Sequence, residues 1–130
     1  MSEKEIENSI LHFLNSFLGI KCWKNQSTGV YDPVKKIYRK SNNKHHIKGV
    51  SDILGIIQGR FLAIEVKSET GKLTPEQKAF ILSINEEGGI AFVARSLQDV
   101  VTNLTKFFPE NKNLRELAKR YNIPQKFTEQ

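Results

Sequence analysis

An α/β fold, with a mixed central sheet flanked by helices, is what this sequence predicts, and three patterns predict it. Apolar residues recur at helical spacing near the N-terminus (Ile6, Ile10, Phe13, Leu14, Phe17). Two dense aliphatic runs, SDILGIIQ and RFLAIEVK, meet across Gln58-Gly59, and a capped helical segment then leads into the strand-like run IAFVA.

Taken in order, residues 3–18 read as an amphipathic helix, with Ser2 as its N-cap and Gly19 as its stop. A short strand over Ile20–Lys24 follows. The next stretch is rich in Gly, Asn, Ser and basic residues, which predicts a loop or a loose hairpin over Gly29–Lys40. The two aliphatic runs predict an antiparallel hairpin. Both of its faces carry Ile, Leu or Phe, so both are expected to be covered. Thr74-Pro75-Glu76-Gln77 has the cap, the first-turn proline and the capping-box Gln of a helix start, and Gly88-Gly89 ends that helix. Residues 90–94 form a further strand, and Leu97–Phe107 a last amphipathic helix before Pro109. The expected order is α-β-(basic loop)-β-β-α-β-α. Residues 1–108 are expected to be the domain, and residues 109–130, with Leu114, Leu117, Ala118 and Tyr121 at helical spacing, a C-terminal helical extension that packs on the domain or on a second subunit.

The chain has 130 residues, of which 38% are hydrophobic and 26% charged, enough for one core and not two. Its single cysteine, Cys22, excludes an internal disulfide and predicts a reducing, cytoplasmic setting, with the thiol as core packing. The acidic, amphipathic start is unlike a secretory signal, and no apolar run is long enough to span a bilayer, so no membrane partner is expected. Charge is unevenly spread. Residues 24–48 hold seven bases (Lys24, Lys35, Lys36, Arg39, Lys40, Lys44, Lys48) and one acid, Asp32, while the other thirteen bases and thirteen acids cancel. Together with His46 and Asn25, this stretch is the candidate phosphate-backbone contact; a solvated loop is the alternative.

The candidate chemistry lies in the aliphatic hairpin. With a turn at 58–59, Asp52 faces Glu65, Cβ atoms about 4.5–5.5 Å apart, and Lys67 lies on the same face. Opposed carboxylates weaken a sheet unless a cation sits between them, and all-oxygen ligation favours Mg²⁺, with Mn²⁺ able to substitute. The alternative is a surface ion pair of Lys67 with Glu65 or Asp52. No histidine pair has zinc-ligand spacing.

The ordered set Gly49-Val50-Ser51-Asp52, Glu65-Val66-Lys67 and Gly71-Lys72-Leu73-Thr74-Pro75-Glu76-Gln77, behind a first helix with an early Glu, resembles the VRR-NUC family of the PD-(D/E)XK nuclease superfamily. The resemblance covers roughly residues 3–105 and implies a PD-(D/E)XK nuclease-like core. It implies Asp52 and Glu65 as metal ligands, with the main-chain carbonyl of Val66, and Lys67 as the catalytic lysine. It also implies Gln77 beside the site and Glu5 reaching it from the first helix, with Glu7 and Glu3 as substitutes in another register. Ser51 stands where the superfamily has proline. Glu5 and Gln77 also satisfy capping boxes, which is their structural alternative. Stand-alone family members resemble Holliday-junction resolvases, so the resemblance implies a homodimer that cuts branched DNA; no small-molecule cofactor is expected, and the compact, stand-alone architecture suggests a bacterial or phage origin. The rival expectations are a catalytically silent nucleic-acid-binding module and a restriction-type endonuclease.

Overall fold

The computed structural model describes residues 1–17, 19–26, 30–39, 45 and 47–121, with 30–32 and 37–39 described as backbone. In chain order the elements are α1 (Glu3–Asn15), β1 (Ile20–Lys24), β2 (Val30–Asp32), β3 (Ile37–Arg39), β4 (Ile53–Ile57), β5 (Arg60–Val66), α2 (Pro75–Glu86), β6 (Ile90–Ala94), α3 (Leu97–Phe107) and α4 (Lys112–Arg120). The main sheet runs β1-β4-β5-β6, and β2 and β3 form a separate hairpin. β1 and β5 flank β4 antiparallel, while β6 runs parallel to β5 through the α2 crossover. The mixed sheet agrees with the expected class, and the basic segment carries the hairpin.

Local chemistry explains the punctuation. Gln58 and Gly59 take φ of 48° and 79°, the two positive values that a tight hairpin turn matched to strand twist requires. Their turn sets Ile57 against Arg60 and Ile53 against Ile64. Both α1 and α2 start in capping boxes, Ser2 with Glu5 and Thr74 with Gln77. Asn15 ties the end of α1 to β1: its amide donates to Cys22 O at 3.0 Å and accepts from Cys22 N at 2.9 Å. Cys22 is buried, and burial pushes its thiol up to about 11, so it behaves as packing.

Period-two alternation divides the side chains of the sheet between two layers. Ile53, Ile57, Leu62, Ile64, Val66, Ile90 and Phe92 face α1 and α3, where Ile6, Ile10, Leu14, Val100 and Leu104 complete the main core. Leu114 of α4 joins that same core, and Ala118 packs on Val101 of α3. On the opposite face α2 sets Phe80, Ile81 and Ile84 against Ala63, Ala91 and Leu54.

The expectation that the hairpin is covered on both sides needs correcting. Ile56 and Phe61 are 49% and 39% exposed on the α2 side. A helix about 10 Å wide covers about two strands spaced some 4.8 Å apart. α2 lies over β5 and β6 and reaches Leu54 but not Ile56, so the turn end of the β4–β5 hairpin and the neighbouring β1 are open on that face.

Candidate active site

The strand register carries Asp52 and Glu65 to facing positions just past the last paired residues, Ile53 and Ile64. Asp52 is anchored from both neighbouring strands: its carbonyl accepts from Asn25 N at 2.7 Å, and its Oδ2 accepts from Val66 N at 2.9 Å. A strand residue turns its N–H and C=O to the same side, so the carbonyl of Val66 also faces the space beyond β4. The next amide, Lys67 N, donates the other way, to Ala94 O at 3.1 Å.

Glu65 is the unusual group. It is 2% exposed, and its Oε1 has no hydrogen-bond partner. Burial raises its carboxyl first of all. A hydrogen bond from its protonated form to Asp52 and the Asp52 charge add to this, Glu3 contributes, and Lys67 offsets part, for a result of about 9. An orphaned carboxylate oxygen beside a second carboxylate is what a divalent cation would satisfy, and the donor set is hard oxygen throughout. Among the described residues no third Asp, Glu, His or Cys completes a group of three that could hold a metal. Two carboxylates and a carbonyl suit Mg²⁺, which retains waters and takes further oxygens from substrate phosphate.

Asp52 opens into a cleft of about 340 Å³ lined by Ile47, Lys48, Gly49, Val50, Thr74, Glu76 and Gln77. Gly49 makes this cleft possible. Its φ is +82°, and a Cβ there would lie 2.4 Å from the Glu76 carbonyl and 2.7 Å from Gln77 N. The loop thus docks on the first turn of α2 through bare backbone. Gly49→Ala is expected to destabilise the protein by about 2 kcal/mol or more, read as a lower urea midpoint, and to displace Gln77.

Glu5 does not point to this site. Its Oε1 accepts from Ser2 Oγ at 3.0 Å, it is fully exposed, and the Ser2 hydroxyl and then the Ser2 amide hold its carboxyl below the usual range. Helical phase is the reason, since residues 3 and 7 lie about 200° around the axis from residue 5. Glu3 Oε1 instead accepts from Ser68 N at 3.2 Å and would lie 3.4 Å from a Cβ at Gly71, as would Cδ of Lys67. Glu7 is buried and pairs with Lys24 at 3.3 Å, as a charge contact without a directed hydrogen bond. Gln77 caps α2, its Oε1 accepting from Thr74 N at 2.9 Å, and also lines the cleft.

Of the basic candidates, Lys48 lines the cleft, and Lys35 and Lys36 are exposed on the β2–β3 turn. Arg39 lies in β3, whereas Lys40, Lys44 and His46 fall outside the described residues, as do residues 122–130. Sequence reasoning missed two supports. Ser51 is fully buried, with an unpartnered hydroxyl next to Asp52. Arg95 Nη1 donates to the carbonyls of Ser68 at 2.6 Å and Gly71 at 2.7 Å, pinning the loop behind Lys67. A lone Arg after a strand carries no sequence signal for either contact.

A mixed sheet between helices, with an Asp and a Glu-x-Lys converging at the strand ends, defines an α/β domain of the PD-(D/E)XK nuclease type. The family model of the VRR-NUC domain matches residues 29–98, and the chain belongs to that family. A solved structure described as a VRR_NUC domain protein shares the fold with a TM-score of 0.54 and 20% identity, over 82% of this chain and 88% of that one. A comparison with curated proteins finds no match. No helix among the described residues is long and apolar enough to cross a membrane.

Proposed function

We propose that this VRR-NUC chain is a metal-dependent DNA endonuclease that hydrolyses phosphodiester bonds with Mg²⁺, for which Mn²⁺ substitutes. The observation that carries the reading is the buried, orphaned Glu65 carboxyl facing Asp52 beside Lys67. Asp52, Glu65 and the Val66 carbonyl would hold the ion, which supplies Lewis-acid polarisation of the phosphoryl group when bound. The Lys67 ammonium neutralises charge that develops on the scissile phosphate and orients the attacking water. Gln77, fixed by its cap, presents its amide to the substrate in the cleft. Glu3 replaces Glu5 as the acid of α1 nearest the site, through its place beside Lys67 and Ser68.

The basic segment 24–48 grips the sugar-phosphate backbone. Neutralising Lys35, Lys36, Arg39 and Lys40 together is expected to weaken DNA binding and to flatten the slope of log affinity against log salt by about 3–4. Affinity measured across a salt series checks this, and an unchanged slope assigns the contact to another surface. The favoured substrate is branched DNA, cut by a homodimer, because one compact site needs a second copy to make two incisions. The deciding assay sets the protein and Asp52→Asn against single-stranded, duplex, flap and four-way DNA, with and without Mg²⁺. Paired nicks on the four-way junction support the junction reading. Indifference to branching removes that reading alone, and no cutting of any substrate removes the nuclease.

A further inference from the structure

On the open part of the α2-side face, the register sets Trp23 beside Leu54, and Lys21 beside Ile56, which in turn faces Phe61. These are the even-phase partners of the Asp52–Glu65 pair, so all of them share its face of the sheet. Trp23 is 45% exposed, and with Ile56 and Phe61 it forms a contiguous apolar strip. Leu54 lies two residues from Asp52, which puts the Trp23 Cα about 8 Å from that of Asp52. Among the described residues no aromatic ring packs on the indole.

We propose that Trp23 is a stacking platform for an unpaired base next to the scissile phosphate, so that the substrate must present an unpaired base at the site, as a flap or an opened branch point does. The proposal rests on the nuclease reading and adds the class of nucleic acid. An exposed indole offers a π-face that any base can use, whereas paired bases in a duplex are stacked on each other and out of its reach. Charge favours this occupant. Lys21 lies two residues away on the same face of β1, so a polyanion's backbone finds a cation beside the indole. A second protein copy would have to bury that lysine and the carboxylate pair at the end of the strip, and protein interfaces exclude charge from their centres.

Trp23 is the sole tryptophan, so its emission reports directly on the site. The test titrates oligothymidylate, and a matched duplex, into Asp52→Asn protein without divalent metal. Stacking predicts quenching by oligothymidylate and little change with duplex. Trp23→Ala is expected to lose about 10- to 100-fold in affinity for oligothymidylate and under about threefold for duplex, and Trp23→Phe to keep most of both. Full binding without quenching, or an equal loss on both DNAs, overturns the stacking role and leaves the nuclease reading standing. Failure to bind either DNA overturns both. Emission that shifts with protein concentration alone assigns the strip to a second copy of the chain and overturns the proposal.

Discussion

Asparagine at position 52 is expected to reduce phosphodiester cleavage by about a thousandfold or more while leaving the metal-free fold intact. The bond from Val66 N to Asp52 Oδ2 survives the change, because an amide oxygen accepts it equally well. What disappears is the negative charge that faces Glu65, whose carboxyl is itself protonated in the metal-free protein below about pH 9. Affinity for a divalent ion falls, and the like charge that opposes ionisation of Glu65 is removed. Thermal stability in EDTA should therefore stay close to that of the wild type near neutral pH and exceed it only as the pH nears 9, where Glu65 ionises. Lys67→Ala should cost comparable activity with metal uptake retained. Cleavage assays in Mg²⁺ and calorimetric melting in EDTA check both variants. A drop of several degrees for Asp52→Asn in EDTA would show that the carboxylate has a structural task which the amide cannot perform.

Raising the pH should weaken the metal-free protein, and Glu65 is the reason. Its carboxyl titrates at about 9 when folded and at 4.5 when exposed. Between those values the folded chain keeps a proton that the unfolded chain has released. Stability from this group is complete below about pH 4.5 and drains away as pH climbs toward 9, with a slope of at most about 1.4 kcal/mol per pH unit. Glu65→Gln should remove that slope, so the difference between the two proteins isolates it. The same proton competes with a metal ion. Apparent affinity for Mg²⁺ or Mn²⁺ should rise by up to about tenfold per pH unit across this window, with close to one proton released per ion. Titration calorimetry in two buffers of unlike ionisation enthalpy counts that proton. Pairwise melting curves that run parallel between about pH 5 and pH 9 would contradict the assignment.

The pairing of Asp52 with Glu65 was legible in the sequence because a two-residue turn leaves a hairpin one register, and Gln58-Gly59 marks that turn clearly. The starts of α1 and α2 were legible for a similar reason, since the Ser2–Glu5 and Thr74–Gln77 boxes are short-range devices. What the sequence concealed lies at longer range. Glu5 satisfies a local cap and also occupies the early position expected of a site acid. Only the phase shared by Glu3, Glu7, Ile10 and Leu14 marks which acids face the protein. Apolar residues on both sides of β4 read as a covered strand, although nothing in them states that a single helix is too narrow to cover all of it. Ile56, Phe61 and Trp23 thus became visible as surface only once α2 had been set over β5 and β6.

β1 and β4 are hydrogen-bonded neighbours, yet 28 residues of chain separate Lys24 from Ile53, and the β2–β3 hairpin lies within them. A tight turn would suffice to join two such strands, so the β2–β3 hairpin is not needed for them to pair. The register that sets Asp52 against Glu65 is fixed by the β4–β5 turn and not by the β2–β3 hairpin. Substitutions in the hairpin and substitutions at the carboxylate pair should therefore act on different properties of the protein, one at a time.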